Sequence, residues 1–78
     1  MQQELWVETP GEQTFCLAGP MGDAARSLLG PTALLVWTVE GRSHFEAMTK
    51  YYEHMGWGAY TTDLPEWDCV TYADHGWE

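Results

Sequence analysis

An amphipathic helix with a defined start and end is encoded by residues 43–60, SHFEAMTKYYEHMGWGAY. Ser43 is a favourable N-cap, and Glu46 three residues later completes a capping box, in which each side chain can accept a hydrogen bond from a backbone N–H. Gly56 supplies a residue that adopts a left-handed conformation without steric cost. The pattern therefore predicts a helix that begins after Ser43 and ends before Gly56.

One face of this helix is apolar. At about 100° per residue, its large side chains form one stripe: Phe45, Met48, Tyr51, Tyr52 and Met55. The opposite face carries Glu46, Lys50 and Glu53, and the Glu46–Lys50 pair has the favourable i,i+4 order. Because an isolated helix of this length is marginal in water, the stripe must be buried, and we expect a sheet to cover it.

Two strands joined as a hairpin are predicted near the start of the chain, after residues 1–3, which are expected to be frayed. Residues 4–8 alternate in polarity, with Leu5 and Val7 on one face and Trp6 on the other. Residues 9–12, TPGE, contain the Pro-Gly pair typical of a type II turn.

The second strand of the hairpin is predicted over residues 13–17. Its alternation places Phe15 and Leu17 toward the core and Cys16 away from it. A loop rich in glycine and proline follows, and the next apolar segment predicts a short helix over residues 24–29.

A third strand is predicted over residues 33–39, ALLVWTV, which are apolar on both faces up to Thr38. Such a run is typical of a central strand that is covered on at least one face. The element order is then strand, strand, helix, strand, helix. A right-handed crossover gives the strand order 2-1-3 with antiparallel pairing, while the order 1-2-3 stays open.

We therefore expect one α+β domain over residues 1–62, a three-stranded, mainly antiparallel sheet with two helices on one face. Residues 63–78 form an irregular acidic, aromatic tail that packs on this domain or on a partner. The spacing of Asp63 and Glu66, with Pro65 near the first helical position, predicts a short helix in the tail. The alternative is that residues 70–72 are extended rather than part of this helix.

The charge balance limits the partners that the chain can bind. Twelve acidic residues face three basic ones, which gives a formal net charge of −9. Binding to nucleic acid or to an anionic membrane surface is disfavoured, because no basic surface exists to pair with phosphates. A basic protein partner fits the charge. Since the sequence shows no membrane span and no signal segment, we expect a cytoplasmic protein.

No catalytic, metal or cofactor motif is present. His44 and His54 lie about 80° apart around the predicted helix axis, and neither HEXXH nor CxxC occurs. A metal site formed by His54, Cys69 and His75 would require the tail to fold back and is disfavoured. We expect Cys16 and Cys69 to stay reduced. The sequence thus predicts no catalytic residue, no metal and no cofactor.

The surplus of tryptophan gives the main functional hypothesis. Trp6 and Trp37 lie opposite the predicted core positions of their strands, so both rings could stand on one open face of the sheet. Trp67 and Trp77 in the tail either cover that face or extend the binding surface. This arrangement indicates a non-enzymatic protein-binding module, and self-association through the same face would give a homodimer.

A second hypothesis concerns the end of the predicted helix. A small-ligand-binding or enzymatic domain would have its pocket there, near four side chains: Tyr51, His54, Trp57 and Tyr60. Tyrosine, histidine and a nearby carboxylate can in principle perform acid–base chemistry. Aromatic residues at helical spacing are more commonly core residues.

The helix segment and the strand before it, LLVWTVE, resemble a group of small acidic bacterial proteins of uncharacterised function. The shared pattern is HFEAMTxYYEHMGWGxY, its most specific part is HMGWG at residues 54–58, and the similarity extends back to GDAARSLLGP. The resemblance implies a bacterial cytoplasmic origin and nothing about mechanism.

Overall fold

The computed structural model describes all residues from Met1 to Glu78 and shows an α+β fold with a three-stranded antiparallel sheet. The strands are β1 (Gln2–Glu8), β2 (Glu12–Leu17) and β3 (Leu34–Glu40), and the helices are α1 (Asp23–Arg26), α2 (His44–Met55) and α3 (Pro65–Asp68). The strand order is β2-β1-β3. The predicted fold class and the order 2-1-3 are confirmed, and the alternative order 1-2-3 is wrong.

The chain forms two compact units, which are described separately. The sheet unit comprises Gln2–Val39, and the helical unit comprises Met1 together with Glu40–Glu78. The expected placement of both helices on one face of the sheet stays a prediction.

The hairpin of the sheet unit is longer than predicted. Gln3 is buried and pairs with Leu17, so the first residues are not frayed. The Gly11 N–H donates to the Glu8 carbonyl, and the turn therefore spans residues 8–11 rather than 9–12. Leu5 pairs with Phe15 across the ladder. Because directly paired residues point to the same side of a sheet, Leu5 and Phe15 share one face.

Cys16 lies on the opposite face of the hairpin and is buried, which the alternation alone does not predict. Arg26 lies over this face, because its guanidinium donates to the Glu4 carboxylate at 3.0 Å and to the Leu17 carbonyl at 2.8 Å. Burial raises the pKa of the Cys16 thiol, although the Arg26 charge opposes this effect. The prediction that Cys16 faces away from the core is therefore wrong, while Phe15 is only half-buried.

α1 is shorter than the predicted helix over residues 24–29. The N–H groups of Leu28 and Leu29 bond to carbonyls three residues back, so the helix tightens and ends at Arg26. The Leu28 side chain is 84% exposed. No packing partner therefore compensates for the weak hydrogen-bond geometry of the last predicted turn.

β3 lies at the edge of the sheet, since β1 occupies the centre. Three consecutive side chains of β3 are exposed: Leu34, Leu35 and Val36. The prediction of a covered central strand is wrong at these positions.

In the helical unit, α2 has the limits that the sequence predicts. The Glu46 N–H donates to Ser43 Oγ at 3.1 Å, and Gly56 takes a left-handed conformation after Met55. The Glu46 carboxylate accepts from the Arg42 N–H at 3.1 Å instead of from Ser43. Both hydrogen bonds of a capping box therefore form, but the backbone N–H that binds the Glu46 carboxylate belongs to Arg42, one residue before the N-cap.

The C-terminal residues combine both predicted alternatives. α3 is the predicted short helix, but Leu64 rather than Asp63 occupies its N-cap, without a side-chain hydrogen bond. After α3, Thr71 forms an antiparallel bridge with Ser43, and the Tyr72 N–H donates to the Arg42 carbonyl at 2.8 Å. Residues 63–78 are thus held against the start of α2.

The closest packing in the helical unit involves Ala47, whose side chain is completely buried. A Cβ atom at Gly41 would lie 2.9 Å from the Ala47 Cβ and 3.1 Å from the Ala47 backbone nitrogen. Real Cβ atoms do not approach so closely, and α2 would have to move. The sequence pattern, which emphasises large side chains, does not identify this contact.

Gly41→Ala is therefore expected to lower the free energy of unfolding by about 1–3 kcal/mol through overpacking. Gly30→Ala is the control, because its Cβ would approach only the end of the Glu8 side chain, which accepts a hydrogen bond from the Gly30 N–H and can shift more easily than a helix. The control should lose less stability than Gly41→Ala, since no backbone has to move. Chemical denaturation followed by circular dichroism measures both, and equal stability of the two variants would contradict the close contact.

Candidate binding surface

Four aromatic rings meet where α2 ends, and we call Tyr51, Tyr52, Trp57 and Tyr60 the helix-exit cluster. Tyr52 is its centre, with ring centroids 6.5 Å from Tyr51, 5.4 Å from Trp57 and 5.2 Å from Tyr60. All three contacts are edge-to-face, the arrangement that the charge distribution of aromatic rings favours. Tyr51 is buried, whereas Trp57 is 52% exposed. The cluster thus connects the interior of the helical unit to its surface.

A second group of rings, the tail stack, consists of Trp67, Tyr72, His75 and Trp77. The His75 imidazole lies between two indoles, 6.3 Å from Trp67 and 4.7 Å from Trp77, and is nearly parallel to both. Tyr72 stacks on Trp77 at 5.8 Å and is itself buried. The rings therefore stack in the order Tyr72, Trp77, His75, Trp67. The buried Tyr72 forms one end and Trp67, which is 68% exposed, forms the other, while Trp77 is 43% exposed.

A hydrogen bond joins the segment after α2 to α3. The Tyr60 hydroxyl donates to Asp68 Oδ2 at 2.8 Å. This bond lowers the pKa of Asp68, with further contributions from the Thr62 hydroxyl and from His44. The same bond raises the pKa of Tyr60, because the carboxylate favours the protonated phenol. Tyr60 is therefore held as a hydrogen-bond donor and is poorly suited to act as a base.

The structure does not bring Trp6 and Trp37 together on one face of the sheet. Trp37 stacks on Phe15 with centroids 6.3 Å apart, which places it on the Leu5 face. Trp6 points to the opposite face, where its indole N–H donates to the Glu4 carboxylate at 3.2 Å. Side chains alternate within each strand as predicted. The sequence does not show, however, whether Trp37 of β3 shares a face with Trp6 or with Leu5 of β1.

The pocket expected at the end of the helix is only partly assembled. Tyr51, Trp57 and Tyr60 are connected through Tyr52, while His54 is exposed on the last turn of α2. An open groove of about 650 Å³ lies beside these rings, and of the expected pocket residues it includes Tyr60. The remaining lining residues are Phe45, Thr49, Glu53, Gly56, Gly58 and Ala59.

Of the tail tryptophans in the binding hypothesis, Trp67 is the more exposed, at 68% against 43% for Trp77. Their neighbour His75 entered the sequence-based predictions only as a disfavoured metal ligand. The sequence shows that the tail is rich in aromatic residues, but this composition does not predict which rings stack on one another. No group of three or more histidine, cysteine or acidic side chains is placed to hold a metal ion. Neither cysteine forms a disulfide. None of the helices has the length and apolar character needed to cross a membrane.

The Tyr60–Asp68 bond makes a testable contribution to stability. Because the folded-state pKa of Asp68 is lowered, its ionised form stabilises the fold above the unfolded pKa of about 3.9, and this contribution is lost as the pH falls through the folded pKa. Tyr60→Phe should therefore lose less stability than the unaltered chain when the pH falls from about 5 to about 2.

Tyr52→Phe is the matched control, since the Tyr52 hydroxyl does not contribute to the Asp68 pKa. Its stability should fall with acid as steeply as that of the unaltered chain. Denaturant titrations at a series of pH values give the slopes. An unchanged acid slope in Tyr60→Phe would show that the hydrogen bond does not stabilise the fold.

Comparison with known proteins adds no identification. The chain matches no protein-family model, no curated protein and no solved structure. The resemblance to small acidic bacterial proteins stays a prediction.

Proposed function

We propose that the chain is a non-enzymatic protein-binding module that holds a basic partner against exposed indole rings of the helical unit. The observation that carries the proposal is the exposure of three tryptophans in this one unit, Trp57 at 52%, Trp67 at 68% and Trp77 at 43%. Large rings exposed on a small domain are typical of interaction surfaces, where tryptophan is enriched among the residues that dominate affinity.

Other rings of the helical unit hold these exposed indoles in place. Trp57 contacts Tyr51 and Tyr52, and Trp77 stacks on the buried Tyr72. A partner that binds rings already held in place has less conformational entropy to overcome than one that binds mobile side chains. Because Trp77 contacts both Tyr72 and His75, we expect the partner to bind mainly the exposed parts of Trp57 and Trp67.

The charge around these rings favours a cationic partner. Residues 40–78 carry eight acidic and two basic side chains, and residues 63–78 carry no lysine or arginine. Glu66 and Asp68 flank Trp67 directly in α3. A guanidinium or ammonium group over an indole face is attracted by the ring, and neighbouring carboxylates add to this attraction. Arginine and lysine side chains on an extended segment of a partner protein match this combination.

The ligand-binding or enzymatic hypothesis has less support. The groove beside the helix-exit cluster is open, and the one phenol that borders it, that of Tyr60, has its pKa raised by Asp68. A general base needs a pKa near the working pH. The direction of the Tyr60 shift is away from that range.

Trp67→Ala is expected to weaken the binding of an arginine-rich peptide by about tenfold, because it removes the most exposed cation-binding ring. Leu28→Ala is the control, since Leu28 is 84% exposed and lies in the sheet unit. Isothermal titration calorimetry and the shifts of the indole N–H resonances measure the affinity and locate the peptide.

Two outcomes would overturn this proposal. In the first, Trp67→Ala and Leu28→Ala bind the peptide as tightly as the unaltered chain, which would leave only unspecific charge attraction. In the second, the indole resonances of Trp57, Trp67 and Trp77 all fail to shift at saturation. A glutamate-rich peptide of equal length, expected not to bind, tests the sign of the charge preference.

A further inference from the structure

We infer that β3 pairs through its outer edge with β3 of a second copy of this chain, so that two three-stranded sheets join into one of six strands. This inference goes beyond the proposed function and concerns the sheet unit. β3 has one neighbour in the sheet, β1, and therefore has an outer edge. Its consecutive residues Leu34, Leu35 and Val36 are 67%, 46% and 53% exposed. Since neighbouring residues of a strand point to opposite sides, apolar surface is exposed on both sides of this edge.

The outer edge lacks the features that keep sheet edges apart. Natural edge strands carry charged residues, proline or bulges that discourage pairing with another chain. Residues 33–39 contain no charged residue and no proline, and they lie within residues 27–39, the longest run of the chain without a charge. The other edge strand, β2, begins with Glu12. The two edges thus differ, and β3 is the one suited to pairing.

The charges favour a second copy over a basic peptide as the occupant. A two-fold axis at Val36 would place Leu34 opposite Thr38, Leu35 opposite Trp37, and Val36 opposite its own copy. Glu40, the one charged residue of β3, would lie opposite Thr32, so no two like charges face each other. A basic peptide would find no carboxylate along residues 33–39. Uncharged strands of a chain with a net charge of −9 can approach each other where repulsion is least.

The side chains on the two faces would also continue across the axis. Trp37 lies on the Leu5 face with Phe15, and Leu35, two residues away, points to the same side. Pairing would place the Leu35 side chain of each copy beside Trp37 of the other. The row of apolar side chains that begins at Phe15 in one copy would then extend without interruption into the second copy.

The mass of the unaltered chain in solution tests the inference. Sedimentation velocity over a range of concentrations should show a species of twice the chain mass of 8.9 kDa. Val36→Lys should weaken this dimer by about tenfold or more, since two lysines would face each other at the axis. Met21→Lys is the matched control: it also replaces an exposed apolar side chain by lysine, outside β3, and should leave the dimer intact.

Mixing variants tests the pairing directly. Val36→Glu alone should also be weakened, whereas a mixture of Val36→Lys with Val36→Glu should form a dimer again, because opposite charges meet at the axis. Circular dichroism establishes that each variant is folded. The inference fails if the unaltered chain is a monomer throughout the concentration range or if folded Val36→Lys dimerises like the control. It also fails if Trp67→Ala abolishes the dimer, which would assign self-association to the tail stack.

Discussion

The helical unit depends on Ser43, where three interactions coincide. The Ser43 hydroxyl caps α2 by accepting from the Glu46 N–H, its carbonyl accepts from the Ala47 N–H, and the residue bridges to Thr71. The hydroxyl and the carbonyl belong to a residue that is itself buried, and beside the bridge the Tyr72 N–H donates to the Arg42 carbonyl. A buried backbone group without a partner is costly, so the start of α2 and the C-terminal residues stabilise each other. The close packing of Gly41 on Ala47 lies within one turn of this point.

Aromatic rings supply much of the packing in a chain too short for a large aliphatic core. Besides Leu5, the large buried apolar side chains are the rings of Tyr51 and Tyr72. In the helix-exit cluster and the tail stack, these buried rings contact tryptophans that are exposed, Trp57 and Trp77. Trp57 and Trp67 can therefore contribute to packing and remain available to a partner, because each contacts a ring of its own chain and is still more than half exposed.

The two proposals use surfaces of opposite character. The indoles of the helical unit stand among carboxylates and suit a cationic partner, whereas β3 carries no charge along residues 33–39 and suits a copy of itself. The high net negative charge is compatible with both, since it opposes unspecific association everywhere except along an uncharged strand. Binding of a basic partner and self-association would therefore use different residues.

The sequence by itself determined the features that depend on neighbouring residues. The limits of α2 follow from Ser43, Glu46 and Gly56, and the hairpin follows from alternation on both sides of a turn. The crossover rule favoured the observed strand order. The helix limits and the hairpin depend on residues that are close in sequence, and the strand order follows from a general rule of handedness. None of them required knowledge of tertiary contacts.

Only the tertiary structure decided the features that depend on contacts between distant residues. Arg26 buries Cys16 by bonding to Glu4 and Leu17, and pairing with β1 rather than alternation sets which face Trp37 occupies. The stacking of His75 between Trp67 and Trp77 likewise requires a turn of the tail after α3. Alternation gives two sets of side chains for each strand but not the side on which each set lies, because that choice is made by the neighbour against which the strand packs.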